Sequence, residues 1–130
     1  MVTDPIADFI TRLRNASAVG RPTVTVNFSN LIMAIAEKLT AAGLLKAVVK
    51  KGKKTRKFIE VELVYKDNRP RITGVRRLSK TSRRVYLGIR AIRPFRQGYG
   101  QLILSTPRGI LTGDEARRLK VGGEPLFTIY

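Results

Sequence analysis

The chain contains no cysteine and no histidine, and only 9 Asp and Glu stand against 26 Lys and Arg in its 130 residues. Without cysteine there is no disulfide staple and no cysteine-based zinc site, and the redox compartment is left open. Without histidine, the commonest general base and the commonest metal ligand are missing. No phosphate-binding loop of the nucleotide hydrolases occurs, and carboxylates are sparse, so neither an enzyme nor a cofactor nor a metal is expected. No apolar run approaches membrane-spanning length, and Met1-Val2-Thr3-Asp4-Pro5 does not lead a basic segment into an apolar one. The chain therefore reads as soluble and unsecreted. A basic amphipathic helix and a lipidation motif are also lacking, so no membrane partner is expected. There is no internal repeat, no Pro- or Gln-rich tract and no disordered basic tail.

What is present is a formal charge of +17 on 14.5 kDa, with 43% hydrophobic residues. The apolar fraction suffices for a core in a chain of this size. The charge opposes compaction by self-repulsion unless a polyanion neutralises part of it. It is concentrated: the span from Lys46 to Arg96 holds 18 basic residues and 3 acidic ones. Solvated edges that discourage aggregation need only a lysine or two. Phosphate neutralisation explains such a span better, and it carries a steep salt dependence.

Asp4 before Pro5 is a helix start, and Ile6, Phe9, Ile10, Leu13 and Ala16 share one side of a 3.6-residue period. A helix over about Pro5 to Ala18 follows, with Thr11, Arg12 and Asn15 on its polar side. Thr23 to Val26 alternates as a short strand. Ser29 caps a second helix that runs to about Ala42 and stops at Gly43, its buried stripe predicted as Leu31, Ile32, Ile35, Ala36 and Leu39. Leu44 to Val49 and Phe58 to Tyr65 are predicted strands, with Lys50 to Lys57 as the hairpin tip between them. Its lysines suit phosphate contact as point charges, the competing reading being a mobile solvated loop.

Asp67-Asn68-Arg69-Pro70 concentrates turn formers, and a domain boundary is placed there, dividing 1–68 from 69–130. Strands are predicted over Arg71 to Leu78 and Val85 to Leu87, separated by the polar Ser79-Lys80-Thr81-Ser82. Arg90 to Gln97 is left without assignment because Pro94 argues against both a central strand and a long helix. Leu102 to Ser105 is a strand that returns from Ile110. Thr112 and Glu115 form a capping box for a short helix, with Arg117, Arg118 and Lys120 at its far end. Leu126 to Tyr130 closes the chain as a strand. The fold class is α+β: an N-terminal α-β-α-β-β domain and a mostly β C-terminal domain with a short helix.

Two polar turns interrupt the apolar C-terminal sequence, Ser105-Thr106-Pro107-Arg108-Gly109 and Val121-Gly122-Gly123-Glu124. Neither Ser105 nor Thr106 has a histidine or a nearby lysine to activate it, so nucleophilic catalysis is not expected. Their hydroxyls on a tight turn suit hydrogen bonds to bases, phosphates and 2′-hydroxyls, and Arg108 can stack or bridge phosphates. A plain hairpin is the bland alternative. Gly122 and Gly123 permit close backbone approach or positive φ. Glu124 can accept from base amino groups or orient an arginine, unless it is a surface residue without a task. Tyr86 either stacks on a base or fills the core, and sequence alone slightly favours the core. Gly98-Tyr99-Gly100 lacks the third glycine of a dinucleotide fingerprint, since Ile103 stands there, and reads as a turn.

With these residues in place, the whole chain resembles the bacterial-type small-subunit ribosomal protein eight family. The resemblance rests on Asp4-Pro5-Ile6-Ala7-Asp8 and Thr11-Arg12-Leu13-Arg14-Asn15 at the start, and on Arg77-Leu78-Ser79 and Tyr86 in the middle. At the end it rests on Ser105-Thr106, Gly109, Thr112, Ala116-Arg117 and Gly122-Gly123-Glu124. It implies two α/β domains and primary binding to the central domain of 16S ribosomal RNA during small-subunit assembly. It also implies that Tyr86, Ser105, Thr106, Gly122, Gly123 and Glu124 meet an irregular RNA helix with unstacked bases. Arg14 and Asn15 occupy the motif with which N-terminal domains of the family touch other rRNA. Neighbouring small-subunit proteins, and for some relatives their own operon messenger RNA, are further implied partners; the implied location is the ribosome in the cytoplasm or in an organelle.

The sequence departs from the family pattern at four places. Pro107 stands where a second serine is usual and Arg108 where lysine is usual, so a hydroxyl and an amide donor are lost while the charge remains. Asn30 replaces a common lysine after Ser29. Pro125 follows the Gly-Gly-Glu turn in place of an aliphatic residue, which predicts that the closing strand starts at Leu126. The alternatives to an rRNA-binding structural protein are a nucleoid-type duplex DNA binder and a stand-alone mRNA-binding translational repressor.

Overall fold

A computed structural model of the chain describes residues 4–79, 86–88, 90, 92 and 100–130. Its main chain divides into two compact units, Met1–Thr73 and Gly74–Tyr130. Both mix helix and sheet, and the fold is α+β.

In the first unit the Asp4 side chain accepts the Ala7 N–H at 3.1 Å and Pro5 occupies the first helical position. Helix α1 therefore runs Pro5–Val19 and ends on Gly20, whose φ of 78° is the left-handed cap that glycine adopts without strain. Ile6, Phe9, Ile10, Leu13 and Ala16 are buried as their spacing predicts, and Ser17 is buried with them. Burying Phe9 or Leu13 fully is worth roughly 1.5–3 kcal/mol each.

Ser29 caps α2, Asn30–Ala41, by accepting the Ile32 N–H at 3.0 Å. Ile32, Ile35, Ala36 and Leu39 form its buried stripe, but Leu31 is 38% exposed, contrary to expectation. It sits beside the stripe, at the edge of the 3.6-residue arc, so apolar character alone did not place it inside.

Strands β1, Thr23–Asn27, β2, Leu45–Lys53, and β3, Arg56–Leu63, form an antiparallel sheet in the order β1-β3-β2. Val24, Val26, Ile59, Val61 and Leu63 point into the core at period two. The expected hairpin tip from Lys50 to Lys57 is mostly strand: Lys50 pairs with Ile59, Lys51 with Phe58, Gly52 with Lys57 and Lys53 with Arg56. Only Lys54 and Thr55 are left to turn the chain. Two of its cations find partners on the sheet: Lys51 pairs with Glu60 at 3.1 Å, and the Lys50 ammonium lies 4.4 Å from the Phe28 ring centroid.

Beyond β3, Tyr65–Lys66 (β4) and Arg69–Pro70 (β5) pair as a small hairpin. Asp67 and Asn68, at φ 54° and 61°, form its tip, the signature of a type I′ turn. The turn formers on which the boundary expectation rested thus lie within the first unit.

The second unit contains β6, Val75–Arg77, β7, Gln101–Thr106, β8, Gly109–Thr112, α3, Gly113–Leu119, and β9, Glu124–Ile129. Its antiparallel sheet has the order β6-β9-β7-β8. The strand expected over Arg71 to Leu78 is shorter, confined to Val75–Arg77. Leu102, Leu104, Leu111, Ala116 and Ile92 make one buried cluster, while Ile103, Phe127 and Ile129 are completely buried on alternate positions. The capping box of α3 forms as predicted, Thr112 and Glu115 each accepting the other's main-chain N–H.

Strand β9 begins at Glu124, not at Leu126. Proline inside a central strand is tolerated only where the ladder is interrupted, and such an interruption is present. Ile103 pairs with Phe127 and Leu104 with Pro125, which leaves Leu126 as an extra residue. Its carbonyl is taken up by the Leu78 N–H at 3.1 Å and the Arg77 guanidinium at 3.3 Å. The assignments made for Met1 to Thr3, Lys80 to Val85, most of Arg90 to Gln97, and Gly98-Tyr99 lie outside the described residues.

Candidate nucleic-acid interface

In the second unit, the β7–β8 hairpin turns through Pro107 and Arg108, with Thr106 opposite Gly109. Neither central residue has positive φ, whereas Gly109 has φ 101°, the pattern of a type I turn followed by a glycine bulge. Proline is favoured at the first central position of such a turn because its φ is preset. The Thr106 hydroxyl donates to the Gly109 carbonyl at 2.8 Å and accepts the Arg108 N–H at 3.1 Å. Its donor is thus spent inside the turn, and only acceptor capacity remains for a ligand. Ser105 is half-buried, and its hydroxyl has no hydrogen-bond partner among the described residues. Arg108 is exposed.

The second polar turn reaches the first through the main chain. Gly123 exchanges two hydrogen bonds with Leu87, at 2.8 and 2.9 Å, in an isolated antiparallel bridge. Glu124 pairs with Ser105 in the β7–β9 ladder. A Cβ on Gly123 would overlap the Ser105 carbonyl oxygen and lie 2.8 Å from the Thr106 methyl; one on Gly122 would lie 2.5 Å from the Leu87 carbonyl oxygen. Close approach, not positive φ, is therefore why both positions are glycine. The bridge also sets the place of Tyr86, immediately before Leu87. Tyr86 is 70% exposed, which overturns the slight preference for a core role.

Glu124 is half-buried and its carboxylate accepts the hydroxyl of Ser79, a residue with no exposed surface. Neither the Leu87 bridge nor the Ser79 bond has a local signal in sequence, since each joins segments far apart in the chain. Helix α3 ends on Lys120 in the left-handed region and delivers the chain directly into Gly122, leaving Arg118 and Lys120 exposed beside the turn. The structure thus gathers Tyr86, Ser105, Thr106, Arg108, Gly122, Gly123 and Glu124 around one junction of strands.

Arg14 and Asn15 belong to the first unit and are exposed on α1. Asn15 lines an open groove of about 630 Å³ together with Arg12, Arg21, Thr23 and Thr25. Arg12 is held by Asp8 at 3.1 Å and reaches the Thr25 carbonyl at 3.4 Å. On the β2–β3 hairpin, Lys53, Lys54, Arg56 and Lys57 are exposed and make no ion pair among the described residues. Among those residues no group of His, Cys, Asp and Glu is placed to hold a metal ion, and no helix is long and apolar enough to cross a membrane.

Fold and site together define a class: a small, strongly basic α+β protein that presents polar turns and a cationic hairpin on rigid strands. Comparison with known proteins narrows the class. The family described as ribosomal protein S8 matches residues 4–130. The small ribosomal subunit protein uS8 of a Nitratiruptor species is 44% identical, with all of both chains covered. Its counterpart in Vesicomyosocius okutanii is 41% identical over 99% of this chain and 98% of its own, and that of Thermus aquaticus is 38% identical over the whole of both. The chain belongs to the ribosomal protein S8 family.

Proposed function

We propose that this protein is a structural constituent of the small ribosomal subunit that binds the central domain of 16S ribosomal RNA directly and supports subunit assembly, working on the ribosome in the cytoplasm beside neighbouring small-subunit proteins. The observation that carries the reading is the convergence of Tyr86, the Ser105-Thr106 hairpin and the Gly122-Gly123-Glu124 turn through the main chain of Gly123. Family membership supports it.

The chemistry of the cluster suits an irregular RNA helix. An exposed tyrosine ring offers a stacking face worth about 1–3 kcal/mol per base. The Ser105 hydroxyl both donates and accepts, as 2′-hydroxyls and base edges require. Glycines at 122 and 123 let Leu87 and Ser105 close onto the turn, which brings Tyr86, Ser105 and Glu124 together, and Arg108 is placed for phosphate. The cations at Lys53, Lys54, Arg56 and Lys57 supply affinity without sequence, and Arg14 and Asn15 supply a further contact with rRNA from the first unit.

The test is competition at matched salt between a 16S central-domain fragment and duplex DNA of equal length. A strong preference for the RNA is expected. Equal affinity for the two would return the protein to general polyanion binding, the property its charge alone provides.

A further inference from the structure

The two edges of the first unit's sheet differ in how they are guarded. Strand β2 carries Lys46, Lys50, Lys51 and Lys53 and a bulge between Leu45 and Ala47, devices that keep an edge from pairing. Strand β1, Thr23–Asn27, has no charge, no proline and no bulge. The Leu63 N–H donates to the Pro22 carbonyl at 2.9 Å and the Phe28 N–H to the Lys57 carbonyl at 3.2 Å, which sets the parity of the ladder. Val24 and Val26 therefore bond β3, and the main-chain groups of Thr23, Thr25 and Asn27 face outward. One of these, the Thr25 carbonyl, accepts from Arg12 in a long, exposed contact of 3.4 Å. Two open grooves lie between α1 and β1. The first, of about 630 Å³, is lined by Arg12, Val19, Arg21, Thr23 and Thr25, and Val19 is 70% exposed. The second, of about 360 Å³, is lined by Asp4, Pro5, Asp8, Val26 and Asn27.

We propose that the β1 edge is a docking site for an extended segment of a partner protein, which joins the sheet as a further strand antiparallel to β1. The outward N–H and carbonyl groups of Thr23, Thr25 and Asn27 have the spacing that another strand matches with its own. Side chains of the incoming strand opposite Val24 and Val26 point to the α1 side, as those valines do, and are apolar. At the Arg21 end the segment carries a carboxylate, and at the Asp8 end an ammonium or guanidinium group. Arg12 yields the Thr25 carbonyl to the incoming N–H and keeps its ion pair with Asp8. The edge suits polypeptide rather than RNA, because a phosphate offers acceptors alone and would meet Asp4 and Asp8 in the second groove. A second copy of this chain is disfavoured by the charge of +17 that each copy carries.

The probe is the peptide Lys-Thr-Val-Thr-Val-Thr-Glu, acetylated and amidated, titrated to about 1 mM into the isotopically labelled full chain. Main-chain amide shifts are expected to change at Thr23, Thr25 and Asn27, and exchanging the peptide's Lys and Glu should weaken binding. Thr25→Pro removes an outward N–H and none of the bonds to β3, a place where an edge strand accepts proline. It should lower the affinity about tenfold, with unchanged amide exchange at Val24 and Val26 showing that the sheet is intact. If that exchange does change, N-methylation of the peptide's central threonine removes the matching donor with the protein unaltered, and the same tenfold loss is expected. No shift at the three amides, or equal binding by the N-methylated peptide, would overturn the proposal. So would a 16S central-domain fragment that shifts those amides and that the peptide cannot displace, since the edge would then belong to RNA. Self-association of the free chain that protects the same amides would assign the edge to a second copy, and would overturn it equally.

Discussion

Gly123 and Leu87 exchange both of their main-chain hydrogen bonds, at 2.8 and 2.9 Å, and on its other side Gly123 lies so close to the Ser105 carbonyl that a Cβ has no room. One glycine thus ties three segments distant in sequence, those holding Tyr86, Ser105 and Glu124. The surface proposed to meet RNA is consequently a property of the sheet and not of any single loop.

Gly123→Ala should destabilise the second unit by about 1–3 kcal/mol, the usual cost of forcing a methyl into packed surroundings. Amide hydrogen exchange at Leu87 and Gly123 should accelerate with it. A variant with the parent's exchange rates at those amides would show that the ladder can part without cost.

Thr106 is expected to act through the turn first. Thr106→Ser keeps the donor to Gly109 and the acceptor for Arg108, and should bind the central-domain fragment nearly as the parent does. Thr106→Val loses both bonds and should cost about 1 kcal/mol of stability, with a parallel loss of specific affinity. If valine bound as well as serine, the two hydrogen bonds seen at 2.8 and 3.1 Å would have no part in recognition.

The exposed cations of the β2–β3 hairpin should be read in salt dependence. Replacing Lys53, Lys54 and Arg56 by glutamine is expected to reduce the slope of log K against log salt by up to about 0.9 for each phosphate that these side chains neutralise. Discrimination between the central-domain fragment and unrelated RNA should survive. An unchanged slope would leave these side chains solvated in the complex.

Tyr65 supplies a pH test of the first unit. Its one hydroxyl proton is shared between the Arg21 carbonyl and, at 3.3 Å, the Ala16 carbonyl, and burial raises its pKa above the ordinary 10.0. The folded state therefore keeps a proton that the unfolded chain releases above 10.0, so the stability it contributes is present below that pH and is lost as pH climbs through the raised value. Tyr65→Phe should cost about 1 kcal/mol at neutral pH, and the gap to the parent should narrow under alkaline conditions. A gap independent of pH would mean that the phenol's ionisation is not coupled to folding.

Features written in local chemistry were legible in the sequence. Asp4-Pro5, Ser29 and the Thr112–Glu115 box are caps whose partners lie within a turn of helix, and each forms as read. The period-two burial of Ile59, Val61 and Leu63 was equally plain. Errors arose where the deciding partner is distant. Lys50 to Lys53 look like loop until Phe28 and Glu60 are seen to receive two of their ammonium groups. Pro125 looks like a strand breaker until the bulge at Leu126 absorbs it. Tyr86 looks like core until the Leu87 bridge fixes it at the surface. The site residues were named from motifs, but the bond from buried Ser79 to Glu124 and the close packing at Gly123 come only from the fold.

The most direct measurement is a titration of the isotopically labelled full chain with the 16S central-domain fragment, followed by main-chain amide chemical shifts. The largest changes are expected at Tyr86, Ser105, Thr106, Arg108 and Gly122 to Glu124, with smaller ones along Lys53 to Lys57. Changes confined to the lysine-rich hairpin, with the cluster around Gly123 unmoved, would contradict the proposed function.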